Sequence, residues 1–264
     1  MKRSCQHPLA ASPGSELLSF PSVPQKPREG KPIDGPTPLG IYRLLRDRFG
    51  PAGWWPGESP FEVCLGAILT QNTSWANVEK ALRALRASGR LSYARLRSLP
   101  QARLARLIRP SGTFKIKARR LAAFLSFLGS EFSGNVEAMR KEDGWDLRRK
   151  LLGVHGIGPE TADSIALYAA GQPLFVVDAY TRRVFGRLGL LSGSERYEEV
   201  QRFFMEALPA DAALFNDYHA QIVRLAKDAC RPRPLCGDCP LQVICPKHGV
   251  LTRAVTPIPK PADL

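Results

Sequence analysis

The chain has no apolar run approaching the roughly 18 residues that a membrane-spanning helix requires, and its N-terminus carries no hydrophobic segment of signal-peptide type. These absences argue against membrane and secreted classes and predict a soluble, intracellular protein of cytoplasm or nucleoid, with no membrane partner. Convincing period-two alternation is missing, and no repeat of fixed period occurs, so sheet folds and solenoids lose their main signals. Acidic residues are too few to balance the basic ones: 24 Asp and Glu face 38 Lys and Arg, a formal net charge of +14. Such an excess favours a polyanionic partner, and a nucleic acid backbone is the commonest one. Cysteine is scarce and unevenly spread, with Cys5 and Cys64 apart and the other four of six between Cys230 and Cys245.

Cys230, Cys236, Cys239 and Cys245 are separated by five, two and five residues. Four thiolates at that density can enclose one metal centre, because short turns bring the sulfurs together while Gly237 and the prolines let the backbone wrap the site. The arrangement differs from the evenly spread framework of a secreted disulfide protein. Zinc and a [4Fe-4S] cluster both accept four cysteines, but the lopsided spacing differs from the paired short knuckles usual for zinc.

Residues 1–36 hold seven prolines, several serines and glycines, and a net charge of only +2, which leaves +12 on the rest. A composition that poor in apolar residues predicts a disordered extension. From Leu39 onward the chain reads as helix after helix. Ile41, Leu44, Leu45 and Phe49 share one face, as do Phe61, Leu65, Ile68 and Leu69, and Val78, Leu82 and Leu85 follow after a turn at Thr73-Ser74. Further helices are expected at about 92–98, 101–108, 114–131, 145–152, 159–170, 179–188, 195–207 and 211–229. Leu174-Phe-Val-Val177 reads as an extended buried connector. The expected fold is all-α: a helical domain of two lobes over 37–229, a metal-bound loop over 230–248 and a flexible tail over 249–264.

Between two of those helices lies Leu151-Leu-Gly-Val-His-Gly156-Ile-Gly158-Pro-Glu160-Thr161-Ala-Asp163. Two glycines around a β-branched residue, then proline at a first helical position, make a tight hairpin whose amides can meet an anion at a helix N-terminus. Taken alone it is also compatible with an ordinary glycine turn. Twenty residues later comes Phe175-Val-Val-Asp178-Ala-Tyr-Thr-Arg182-Arg183-Val184. The hairpin, this V-D-x-x-x-x-R-V segment and the four cysteines together resemble the endonuclease III superfamily of helix-hairpin-helix DNA glycosylases, over residues from about 39 to 248. Leu69-Thr-Gln-Asn-Thr73, Trp54-Trp55-Pro56 and Arg109-Pro-Ser-Gly-Thr-Phe-Lys-Ile-Lys117-Ala118 look most like the branch typified by 3-methyladenine DNA glycosylase III.

That resemblance implies a base-excision enzyme acting on double-stranded DNA with a damaged base, expected to work as a monomer, with a DNA-binding cleft between the lobes and a [4Fe-4S] cluster on the four cysteines. It makes Asp178 the catalytic carboxylate, which suits the oxocarbenium-like sugar formed when an N-glycosidic bond breaks. An aspartate after an apolar run is more often a helix N-cap, and both roles fit here. Strand-cutting members carry a lysine two residues after the second glycine; here Glu160 stands there, and residues 151–226 contain no lysine. A carboxylate cannot form the Schiff base that β-elimination needs, so water is the expected nucleophile. Trp54, Trp55 and Trp75 are the expected pocket aromatics, able to stack an electron-poor alkylated purine, and Gln71 matches the residue that fills the gap left by a flipped nucleotide. Gly156, Gly158, Thr161, Arg182 and Lys117 are the expected DNA contacts. The alternatives are a bifunctional glycosylase and lyase acting on damaged or mismatched pyrimidines, and a DNA-binding module without catalysis, which a filled core beside Asp178 would favour.

Overall fold

A computed structural model describes residues 36–52 and 57–250. Among them every regular element is helical and no strand is present. Helix α1 (Pro38–Phe49) starts where Thr37 Oγ1 accepts from the Gly40 amide and Pro38 presets the first turn. Helix α2 (Pro60–Thr70) starts the same way, with Ser59 and Pro60. There follow α3 (Trp75–Ala87), α4 (Tyr93–Arg97), α5 (Gln101–Leu107) and α6 (Phe114–Phe132). Helix α7 (Gly144–Leu152) is capped by Asp143 and leads through the glycine hairpin into α8 (Pro159–Ser164). Helices α9 (Ala179–Arg187), α10 (Tyr197–Ala207) and α11 (Ala212–Asp228) complete the set.

The helices pack in two groups. Helices α2 to α6 contact one another, whereas α1 packs against α10 and α11. Tyr218 seals that return by donating to the Pro38 carbonyl at 2.6 Å. Beside it Phe175 stacks on Phe204 with centroids 4.1 Å apart, and Phe185 meets Phe204 edge-on at 4.6 Å. Leu174–Val177 is buried, extended and outside any sheet, as its composition predicts. Its backbone is satisfied instead by side chains of α10: Gln201 Nε2 donates to the Phe175 carbonyl and the Val177 amide to the Tyr197 hydroxyl. These two bonds hold the connector in place just before Asp178.

One expected element is divided. The segment read as a helix over 159–170 is α8 followed by a wider π turn, Ile165–Ala169, in which the Ala170 amide reaches the Ile165 carbonyl at 3.2 Å. All five residues of the turn are buried, so periodicity carries no mark of the extra residue. The turn packs against α2 and α11 and places Tyr168 at the seam between the two groups.

Candidate active site

The hairpin between α7 and α8 is built by its glycines in different ways. Gly156 has φ +82°, and a Cβ there would stand 2.4 Å from Arg120 Cγ. Gly158 has an ordinary negative φ, and a Cβ there would meet nothing within 4 Å, so its outer side is open. Beneath the hairpin, Gln71 at the end of α2 donates from Nε2 to the Gly156 carbonyl and to Thr161 Oγ1, each at 3.0 Å. Its other amide atom accepts from Arg120. The residue expected to enter DNA is therefore tied to the hairpin, and Thr161 is buried in that tie rather than turned outward. Deeper, Arg148 of α7 pairs with the wholly buried Asp163 of α8 at 2.8 Å, and Gln201 of α10 donates to the other oxygen of Asp163. The hairpin is thus anchored to both groups of helices.

Asp178 caps α9. Its Oδ1 accepts from the Thr181 amide at 2.8 Å and from the Thr181 hydroxyl at 3.0 Å. Burial pushes its carboxyl up, but the nearby His219 and the Thr181 donors outweigh that, and the net result lies below the usual aspartate range. Glu160, at the start of α8, moves the other way: loss of hydration at the cavity mouth and then the charge of Asp178 raise it, a modest effect because the residue as a whole is exposed.

A cavity of about 210 Å³ opens beside these two carboxylates, with Trp75, Tyr180, His219 and Lys227 also on its wall. Trp75 is half-buried there, its Nε1 donating to Glu79 at 2.9 Å. Asp178 thus faces a cavity and not a filled core. Trp54 and Trp55 lie outside the described residues. His219 and Lys227 were not assigned from sequence. A signal for them exists, because His219, Val223 and Lys227 recur at intervals of four along α11 and all three line the cavity.

The profile of the HhH-GPD superfamily base excision DNA repair protein matches residues 65–210. The chain belongs to the HhH-GPD superfamily. It is accordingly a DNA glycosylase of that base excision repair family. It is 44% identical to a candidate DNA repair glycosylase of Methanocaldococcus jannaschii, over 78% of this chain and 94% of that one. It is 28% identical to endonuclease III of Thermotoga maritima, over 70% and 82% of the two chains. Among solved structures, 3-methyladenine DNA glycosylase of H. pylori bound to 1,N6-ethenoadenine superposes with a TM-score of 0.64 and 30% identity, covering 72% of this chain and 97% of that one. A trapped endonuclease III–DNA covalent intermediate shares the fold at TM-score 0.69, with 24% identity over 80% and 96%.

Besides Thr161, two more expected DNA contacts of this HhH-GPD protein are engaged within the fold. Lys117 is not at the surface: it is 1% exposed, and its Nζ donates to the carbonyls of Leu69 at 2.8 Å and Ser111 at 2.6 Å. It lies on the apolar stripe of α6, with Phe114, Leu121 and Leu128, and ties α6 to the end of α2. Arg182 is half-buried, with one guanidinium nitrogen on the Glu195 carbonyl at 2.8 Å. Lys117 belongs to a basic run of Arg109, Lys115, Lys117, Arg119 and Arg120, of which Arg109, Lys115 and Arg119 are exposed.

The cysteine loop wraps the end of α9. Arg183 donates to the Cys230 carbonyl at 2.8 Å, and Arg187 donates to Cys230 Sγ at 3.3 Å and to the Arg231 carbonyl at 2.6 Å. Cys230, Cys236, Cys239 and Cys245 are unpaired and line one small cavity of about 30 Å³. Burial, and to a smaller degree the neighbouring thiols, raise Cys239 and Cys245. Among the described residues no set of side chains is drawn into single-ion coordination. Four thiols lining one cavity, with a guanidinium on one of them, are a donor set that would fit a metal centre.

Proposed function

We propose that this DNA glycosylase flips an alkylated purine out of double-stranded DNA and hydrolyses its N-glycosidic bond without cutting the strand. The observation that carries the reading is one cavity walled by Asp178, Glu160 and Trp75, adjoining the glycine hairpin. Asp178, held ionised, stabilises the positive charge that grows on the sugar as the base leaves, or takes a proton from the attacking water. Trp75 offers an indole face to an electron-poor or cationic purine, and Glu160 adds negative charge beside it. The likeness to a glycosylase solved with 1,N6-ethenoadenine supports a modified purine as the ligand. Gly158, open on its outer side, receives a phosphate of the DNA backbone. Cys230, Cys236, Cys239 and Cys245 would hold a [4Fe-4S] cluster, whose part is to stiffen a loop bearing Arg231, Arg233 and Lys247 against phosphates.

A second reading has a specific observation behind it. Lys227 lines the same cavity as Asp178 from α11, even though the hairpin lysine is replaced. If it attacked the sugar, an imine and strand cleavage would follow. Duplexes that each carry one defined lesion decide between the two. The expected result is release of a methylated purine, an abasic strand that breaks only on heat or alkali, and no adduct trapped by borohydride. Asp178→Asn should lower release by at least a hundredfold while binding to undamaged duplex stays within a few-fold. Efficient trapping, lost in Lys227→Ala, establishes the lyase instead. Purified protein should be yellow-brown with absorption near roughly 400 nm; colourless protein with stoichiometric zinc would replace the cluster with zinc.

A further inference from the structure

Behind Asp178 lies a buried polar pair to which the proposed reaction gives no part. His219, on α11, is 6% exposed. Its Nδ1 is 2.6 Å from the hydroxyl of Tyr168, which the π turn places beside it. Its Nε2 faces Asp178 Oδ2 at 3.5 Å and has no hydrogen-bond partner among the described residues. The two carboxylate oxygens thus have different surroundings. Oδ1 is committed to Thr181, whereas Oδ2 faces the imidazole.

The tautomer follows from the partners. Burial, and then the charges of Asp178 and Glu160, push the Tyr168 phenol well above its ordinary range, so it keeps its proton and can donate it to Nδ1 when that nitrogen is bare. The ring proton then sits on Nε2, pointing at the carboxylate. The opposite tautomer would set a lone pair against an anion in a buried site, where such repulsion is poorly screened. A doubly protonated ring also points an N–H at Oδ2. The separation is long for a hydrogen bond but short for an electrostatic contact at low dielectric.

We propose that His219 is a positioning residue for base release: oriented by Tyr168, its Nε2–H keeps Asp178 ionised with Oδ2 held toward the reacting sugar, and the pair sets the acid limit of the reaction. The proposal rests on Asp178 being the carboxylate that acts on the sugar. The other titratable or charged groups at the cavity are Glu160 from α8, Tyr180 from α9 and Lys227 from α11, while the wall from α2 and the start of α3 brings none. Glu160 is the carboxyl and Lys227 the amine on that wall. Both remain in every variant below, so the difference between variants reads His219.

The test is the single-turnover rate of methylated-purine release as a function of pH. Asp178 must be ionised to act, and removing the group that lowers it raises its protonation point, so the acid limb should move to higher pH. For His219→Ala the expected shift is about one unit, with the rate recovering as pH rises. His219→Gln, which can offer a neutral N–H, should shift less. Tyr168→Phe keeps the imidazole but frees its tautomer, and should shift in the same direction by a smaller amount. A uniform rate loss with acid limbs superimposed on the wild type in folded variants overturns the proposal. If His219→Ala does not fold, Tyr168→Phe and His219→Gln decide by the same criterion. Asp178→Asn is run beside them: release that survives in it refutes the role of Asp178 itself, whereas an inactive Asp178→Asn with unshifted limbs refutes only that of His219.

Discussion

Lys117 shows how one side chain changes meaning once its surroundings are known. In the sequence it sits in a run of five cations next to a glycine turn, a pattern that suits phosphate contact. Its register along α6 points the other way, because Phe114, Leu121 and Leu128 share its face and are all directed into the core or its margin. Burial, and then the charge of Arg120, lower its ammonium from 10.5 to about 8. Between those two values the unfolded chain binds more protons than the folded one, so this residue makes stability rise with pH across that window. Lys117→Met removes the effect. Wild type should therefore gain stability relative to the variant, by on the order of 1–3 kcal/mol, as urea unfolding is compared from pH 8 to 10. A constant difference across that range contradicts the burial argument, and a reduced salt slope of DNA binding in the variant would restore the phosphate contact.

At the scale of elements, helix positions were legible because each has a repeating apolar face and, in most cases, an N-terminal Thr, Ser, Asp or Pro to start it. The π turn was not, since Ile165–Ala169 is apolar or aromatic on every side and one extra residue per turn leaves no periodic trace. The hairpin was legible as a glycine turn, but the separate duties of its glycines were not. Gly156→Ala forces a positive φ on a residue with a Cβ and drives that atom toward Arg120, so it should cost about 1–2 kcal/mol of stability and loosen the Gln71 tie. Gly158→Ala adds a methyl group in open space at an ordinary φ. Its melting temperature should match the wild type, while affinity for undamaged duplex falls several-fold because the methyl occupies the path of the phosphate. Equal melting temperatures for the two variants, or full affinity in Gly158→Ala, would contradict this division of labour.

The whole molecule brings together what no local pattern can. Asp178 and Glu160 were readable from their motifs, eighteen residues apart, but His219 and Lys227 reach the same cavity from α11 only because α1, α10 and α11 close into one group against the π turn. Long-range packing of this kind depends on the Phe175, Phe204 and Tyr218 cluster, and nothing in a window of sequence reports it. Charge is the property of the whole chain that sequence does report. Residues 37–264 carry +12, and the buried polar links found in the fold engage only some of these cations: Lys117 and Arg148 turn inward, while Arg109, Lys115 and Arg119 stay exposed. A surface of that kind binds duplex mainly by displacing counterions from phosphates. Affinity for undamaged duplex should therefore fall steeply with salt, log K against log salt giving a slope of several units at about 0.9 per phosphate neutralised. Replacing the three exposed cations together should reduce that slope by about two to three units, whereas Lys117→Met should leave it in place. A slope near zero in the wild type would mean that the positive charge serves some purpose other than holding DNA.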